Sequence, residues 1–321
     1  MIPLLYAMLT MVLSACQSDD AKPAELGDRL MPVYLSIPAN GGYVTRGAGD
    51  PRTVGDDFTP PTKLYLYVVK ETIAGTSSIH QQTSDLDGSW NKTVVGGETI
   101  YQYSGHIEVE LTDFNANNRE AIRVYAAVSP VALENLSAVT DEDDIRNLTV
   151  DLPDDNHQYE YIKDIYSTPA DYETDGQYYC TVEDPEKPSV SLSLYHVAAK
   201  VDVIWNVATA MQPAVRLKQV ALAGLRRKGC RLFRPMQNTP PTSNTYQTTV
   251  TTDGVGSQWM GRHSFYVIPC VQSSTLPLEL HLWQDDDDTA DGYTQHINIP
   301  MTETTFTPWV RQDILISKTL K

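Results

Sequence analysis

The sequence predicts an all-β fold, with sandwich- or barrel-like domains in tandem. Short segments that alternate apolar and polar residues recur along the chain, and turn-forming Gly, Asp and Pro residues separate several of them. No strand–helix alternation is sustained, which disfavours a parallel α/β sheet. About 300 residues follow the N-terminal apolar run, which on a prior of about 150 residues per domain predicts two domains. At 41% hydrophobic residues the chain can fill packed cores and is too apolar for disorder.

The apolar run spans residues 2–13 and ends in Leu13-Ser14-Ala15-Cys16. A short apolar segment closed by small residues has the layout of a signal peptide, and it is too short to cross a bilayer as a helix. Leu-Ser-Ala-Cys resembles the lipobox of bacterial lipoproteins, in which the cysteine thiol takes a lipid and becomes the new N-terminus. Cys16 is therefore the expected lipidation site, and residues 1–15 the signal peptide. No Lys or Arg precedes the run, so the expected start lies upstream of Met1. Gln17-Ser18-Asp19-Asp20 sets an acidic patch beside the lipid, similar to the signal that sends lipoproteins of Bacteroidetes-type bacteria to the outer face of the outer membrane. Residues 16–31 are polar, carry Pro23 and Gly27, and read as a tether.

The first domain is expected over residues 32–184. Val33–Ile37 alternates as a strand does, and Leu64–Val69 is a continuous β-favouring run that reads as a strand covered on both faces. Residues 107–111 give a strand with one wet face, and 122–128 give another apolar strand. Leu133, Leu136 and Val139 fall at three-residue steps, which suggests a short helix between Pro130 and Leu148. The Tyr-rich acidic stretch 151–175 reads as loop. Residues 183–188 (Glu-Asp-Pro-Glu-Lys-Pro) form the expected linker. The second domain, 189–321, opens with the alternation of Val190, Leu192 and Leu194. Further strands follow at 201–207, 217–223, 245–251, 264–269, 276–283, 294–300 and 310–317.

The net charge of −17 argues against nucleic acid and against docking on anionic lipid, so membrane association is expected through the acyl anchor alone. Eighteen Tyr against five Phe fits half-buried strands and aromatic surface sites. Besides Cys16 the cysteines are Cys180, Cys230 and Cys270, with no spacing that suggests zinc; Cys230–Cys270 is the pairing expected if a disulfide forms. Nucleophile-elbow, zincin, P-loop and dinucleotide motifs are absent from the sequence, and the seven histidines are scattered singly. No enzyme activity and no cofactor are expected. Asp285–Asp288 with Asp291-Gly292 is the densest carboxylate cluster, and Asp285, Asp287 and Asp291 form a weak calcium candidate beside the alternative of a solvated hairpin loop. Arg226, Arg227, Lys228, Arg231 and Arg234 make either a solvated turn or a contact for an acidic surface.

Thr45-Arg46-Gly47 and Gly49-Asp50-Pro51 precede the Leu-Tyr-Leu-Tyr-Val-Val strand. His196-Val197-Ala198-Ala199-Lys200-Val201-Asp202-Val203 follows an alternating strand, and the chain closes with a β-like segment. With the lipobox, this order resembles the fimbrillins, the type V pilus subunits of Bacteroidetes-type bacteria, and most of all their minor, anchor or tip-type lipoproteins. The resemblance implies two tandem transthyretin-like β-sandwich domains, no catalysis, and assembly with other fimbrial subunits by strand exchange. It also implies a cut by an Arg-specific protease between Arg46 and Gly47, which would release the Val33–Ile37 strand with its lipid. Residues 313–317 are either the strand that completes the chain's own sandwich or a donated strand, and the base, stalk and tip positions stay open. The rival reading is a glycan-binding surface lipoprotein, with Trp90, Trp259 and Trp283 as candidates for its sugar platform beside the alternative that they are core residues.

Overall fold

The computed structural model describes residues 29–39, 58–71, 76–111, 121–134, 136, 138–150, 162–168, 180–181, 189–212, 215–226, 230–233, 245–251, 259–268, 275–284, 293–300 and 313–320. The described chain is almost entirely β. Its first part holds β1 (Arg29–Pro38), β2 (Lys63–Glu71), β3 (Ser77–Asp85), β4 (Trp90–Val95), β5 (Glu98–Tyr103), β6 (Glu108–Leu111) and β7 (Ala121–Ser129). The short helix α1 (Glu142–Arg146) follows, then β8 (Thr149–Val150), β9 (Tyr166–Ser167), β10 (Cys180–Thr181), β11 (Val190–Ser193) and β12 (Tyr195–His196). The remainder is β13 (Ala199–Val207), β14 (Val215–Arg226), β15 (Cys230–Arg231), β16 (Thr245–Thr251), β17 (Met260–Val267), β18 (Thr275–Gln284), β19 (Tyr293–Pro300) and β20 (Asp313–Leu320).

Four main sheets form. The first has the order β11-β1-β5-β4, with β6 running on along β1 beyond β5; the second has the order β12-β9-β7-β2-β3, with β10 beside β7. The later strands build β17-β13-β20 and β16-β14-β18-β19, and a small β15-β8 ribbon bridges early and late residues.

The β2–β7 pair of the second, central sheet is buried on both faces, as the continuous apolar run at 64–69 predicts. Leu64, Leu66 and Val68 of β2 join Ile122, Val124, Ala126 and Val128 of β7 in a core against the first sheet. The alternate residues Tyr65, Tyr67, Val69, Tyr125 and Ala127 face a second core, shared with Trp205, Leu217, Val220 and Phe233 of the later strands. Phe233 meets Tyr67 and Tyr125 edge-on at ring-centroid distances of 5.8 and 5.7 Å. The backbone beside it is held by Leu232 N–H donating to Leu148 O at 3.0 Å and by the Ser167 hydroxyl donating to Leu232 O.

Several expectations shift. β11, which the sequence places at the head of the second domain, runs parallel to β1 with Val33 opposite Val190 and Leu35 opposite Leu192. Its side chains Val190, Leu192 and Leu194 lie in the core beneath the first sheet. The linker expected at 183–188 lies outside the described residues. A short helix does form between Pro130 and Leu148, at Glu142–Arg146, where Asp141 and Asp144 make a reciprocal capping box, and not on the Leu133, Leu136 and Val139 steps. Leu133, Leu136 and Val139 still pack on the shared core, but in non-helical backbone. Of the basic cluster, Arg227, Lys228 and Arg234 lie outside the described residues, and Arg231 is half-buried between the buried Cys230 and Leu232.

β3 escapes the sequence reading because its residues are mostly polar and face water, and β4 because most of its side chains, Val94 and Val95 among them, are exposed; β5 escapes it too. The β4–β5 hairpin did carry a local signal in Gly96-Gly97. Both residues have positive φ, +62° and +88°, as a two-residue turn matching strand twist demands.

Two substitutions probe the shared core. A methyl on Gly261, which lies opposite Trp205, would sit 2.2 Å from the ring carbon Cζ2 of that buried indole. Gly261→Ala is expected to cost about 1–3 kcal/mol in urea unfolding, and an unchanged midpoint would show that the ring is not held. Phe233→Ala is expected to cost about 3–5 kcal/mol, read by the same titration.

Candidate functional site

The site is built around β1. Its sequence alternates, and so do its side chains: Met31, Val33, Leu35 and Ile37 are buried in the core above the central sheet. Leu30 and Tyr34 point to solvent at 55% and 58% exposure. Both of its edges are paired. On one side β11 runs parallel over Val33–Ser36, supported by Leu194 N–H donating to Ser36 O at 2.8 Å and the Ser36 hydroxyl donating to Leu192 O at 3.2 Å. On the other side β5 pairs antiparallel with Ser36–Pro38, and β6 with Arg29–Pro32.

β5 and β6 act as one long strand with an irregularity. Ser36 faces Gln102 and Pro32 faces Glu108, so residues 103–107 lie opposite residues 33–35 alone. Val33 N–H donating to Ile107 O at 2.9 Å keeps the pairing across this bulge. On the outer face Glu110 lies opposite Leu30 and Glu108 opposite Pro32. His106 Nε2 is 2.8 Å from the Glu108 carboxylate.

Lifting β1 out would therefore leave a slot with unpaired backbone groups along both walls and an open apolar floor. An exposed sheet edge of this kind is a template for another strand, which supplies main-chain hydrogen bonds and side chains for alternate pockets. β1 also precedes every other described element, so removing it breaks no other strand order.

A second constellation lies on the opposite face of the central sheet. Arg123 of β7 donates through Nε to Glu142 Oε1 at 2.7 Å and pairs through its other nitrogens with Glu142 and with Glu71 of β2. The Tyr125 hydroxyl also donates to Glu142. The hydrogen bond to Glu142 raises the pKa of the Arg123 guanidinium further. Burial pushes the Glu142 carboxyl up, but the hydrogen bonds from Arg123 and Tyr125 outweigh it and hold the group below its ordinary value. Burial raises the Tyr125 hydroxyl, with the bond to Glu142 adding to it, and burial alone is the main cause that pushes Tyr67 up to about 12. This network ties α1 to the sheet. It offers no nucleophile beside a base, and its role is structural.

The sites expected from sequence fall as follows. Cys16, Arg46, Gly47 and the calcium candidates Asp285, Asp287 and Asp291 lie outside the described residues. So does Cys270, while Cys230 is buried in β15. Among the described residues there is no group of three or more His, Cys, Asp or Glu side chains arranged to hold a metal ion. Also among them, no helix is long and apolar enough to cross a membrane. Trp90 is half-buried, donates its indole N–H to Pro61 O at 3.0 Å and packs beside Phe58, which stacks on Tyr101 at 3.8 Å. Trp259 packs on the shared core. Trp283 lies on β18, opposite Arg216. Trp90 and Trp259 therefore close cores, and the aromatic side chain that faces water on the first sheet is Tyr34, which the sequence reading did not single out. Its place in the exposed half of the 33–37 alternation was the available signal.

No family model matches the chain, and no curated protein does. Solved structures with a similar chain course include proteins from Bacteroides and Parabacteroides species. A candidate adhesin from Bacteroides ovatus has 10% identity and a TM-score of 0.41, over 94% of this chain and 92% of that one. A candidate cell adhesion protein from Parabacteroides distasonis has 13% identity and a TM-score of 0.48, over 83% and 79%. A candidate polysaccharide-binding protein from Bacteroides thetaiotaomicron has 9% identity and a TM-score of 0.41, over 89% and 90%. With TM-scores of this size the similarity is loose, and what those proteins bind is not carried over to this chain.

Glu142 gives the site subsidiary a pH test. Its folded carboxyl titrates below the ordinary value of 4.5, so its contribution to stability is present above about that pH. It is lost as pH falls through the lowered folded value. The stability difference between the parent chain and Glu142→Gln, from urea unfolding, is expected to be clear near neutral pH and to shrink well below pH 4.5. A difference that stays constant with pH would show that the ionised carboxylate is not what holds α1.

Proposed function

We propose that this chain is a surface-exposed structural or adhesive subunit that carries no catalytic activity and joins partners by strand addition at the place of β1. The observation that supports the reading most is the position of β1: first among the described strands, paired on both edges, and buried along one whole face. An N-terminal strand of this kind can be withdrawn without unthreading the rest, and its slot then accepts a strand that satisfies the same groups.

The sequence supplies the means of delivery and release. Cys16 in its lipobox is the proposed lipid anchor to the outer face of the outer membrane, and Arg46 is the proposed cleavage point. The cut falls after β1 and before β2, so cleavage frees the strand and leaves the sheets of the subunit otherwise intact. The fimbrillin resemblance supports this order of events, and a two-domain transthyretin-like organisation is part of the same proposal.

Mass spectrometry of the N-terminus, on protein taken from the surface of the native host, tests the reading. Assembled, SDS-resistant material is expected to begin at Gly47, and Arg46→Ala is expected to keep residues 29–38 and to stay unassembled. Material that is monomeric throughout and always retains residues 29–38 would overturn it.

A further inference from the structure

We infer that β3 is a docking edge for a second copy of this chain, the two β3 strands pairing antiparallel about a twofold axis at Gln81. The inference does not rest on strand addition at the place of β1, because β3 holds its position with β1 in place. β3 ends the order of the central sheet, and among the described residues no strand pairs with its outer edge. All of its residues are exposed or half-buried. It pairs with β2 residue for residue, from Lys63 opposite Asp85 to Glu71 opposite Ser77, with no register shift.

Each other described edge strand of the four main sheets carries a feature that discourages pairing. β4 holds Lys92, β17 holds Arg262 and β20 holds Lys318. β6, β10, β11 and β12 are short, the ladder of β16 slips between Leu222 and Leu225 of its partner, and β19 ends in Pro300. β3 has none of these. It is 9 residues long and contains no Lys, Arg, Pro or Gly. Its one carboxylate, Asp85, sits at the last position beside Lys63.

The phase of the ladder shows which backbone groups face away from β2. Leu86 N–H donates to Thr62 O at 2.8 Å, one step beyond the last paired residues. Even-numbered residues of β3 therefore bond β2, while Ser77, Ile79, Gln81, Thr83 and Asp85 turn their N–H and C=O groups outward. With the axis at Gln81, Ile79 meets Thr83 of the second copy and Ser77 meets its Asp85. Each such pair exchanges two main-chain hydrogen bonds, about ten in all. The side chains are self-complementary in the same register. Two amides meet at the axis, the β-branched Ile79 and Thr83 lie opposite each other, and no two charges of one sign are opposed. A parallel pairing in register would set Asp85 against Asp85, which the antiparallel one avoids. A contact that uses the same edge on both copies closes as a dimer.

Sedimentation velocity on the purified full chain tests this. A single strand pair is a small interface, and the dimer is expected to form with a Kd of about 1–100 μM. Each chain carries a net charge of −17, so the dimer is expected to tighten as salt is raised. Gln81→Pro removes an N–H that faces away from β2 and spares the β2 ladder, and it is expected to weaken the dimer at least about tenfold. Gln81→Lys sets two ammonium groups against each other without touching the backbone, and it is expected to weaken the dimer about threefold or more. Gln81→Cys is expected to give a covalent dimer on mild oxidation, since the Cα atoms of a hydrogen-bonded pair lie about 5.5 Å apart. Ser77→Cys is expected to add none to the parent chain, because its two copies lie at opposite ends of the paired strands. A chain still monomeric at about 0.5 mM, or a dimer indifferent to both Gln81→Pro and Gln81→Lys, would overturn the inference. So would cross-linking of Ser77→Cys to itself while Gln81→Cys stays single. A dimer that appears only after residues 29–38 are lost would also overturn it, and would belong to the slot of β1 instead.

Discussion

Burial of the β2–β7 pair of the central sheet on both faces is the constraint on which the rest of this structure depends. The two strands lie side by side, each sending alternate residues to opposite cores. A strand pair in that position exposes no face to water, so every side chain must find a packed or paired environment. The apolar ones do so by meeting the first sheet on one side and the later strands on the other. Phe233 seals the second contact by sitting edge-on to two tyrosines, while Ser167 and Leu148 hold the backbone next to it. Early and late parts of the chain thus share one core.

Arg123 shows the cost of placing a charge on such a strand. Its guanidinium is answered by Glu142 and Glu71, and Tyr125 adds its hydroxyl to the same carboxylate. A half-buried charge is tolerated when it is paired and its donors are used. α1 is only one turn long, too short to persist by itself. It is held where it is because it brings Glu142 to the sheet, and its capping box and buried Ile145 complete the attachment. The helix exists to serve the strand pair.

Legibility in the sequence followed burial. Strands with an alternating or continuous apolar pattern were visible, among them 33–37, 64–69, 122–128 and 201–207, because one or both faces must leave water. β3 was invisible: Ser77-Ser78-Ile79-His80-Gln81-Gln82-Thr83-Ser84-Asp85 sits at a sheet edge and has almost no apolar face to declare. The parallel pairing of β11 with β1 joins residues more than 150 positions apart, and no local pattern reports such a contact. The Pro-rich stretch at 183–188 suggested a boundary just before β11, yet the apolar residues that follow it fill the core above the central sheet. For the site, alternation in 33–37 gave the buried row, while the two-sided pairing that makes β1 a plug needed the tertiary structure.

The two ends of the described chain follow one rule and differ in one respect. Among the described residues, the two parallel pairings are β1 with β11 and β20 with β13, so each involves a terminal strand. Antiparallel neighbours can be joined by hairpins, whereas a parallel neighbour needs a long connection, which here runs from β1 to β11 and from β13 to β20 through all the strands between them. β20 lies at the end of its sheet order, with β13 as its one ladder partner there; β1 is flanked on both sides by strands that come later in the sequence. Loss of an outer strand moves an edge inward by one place. Loss of β1 opens a slot with two walls and an apolar floor, and only such a slot fixes both the direction and the register of the strand that refills it.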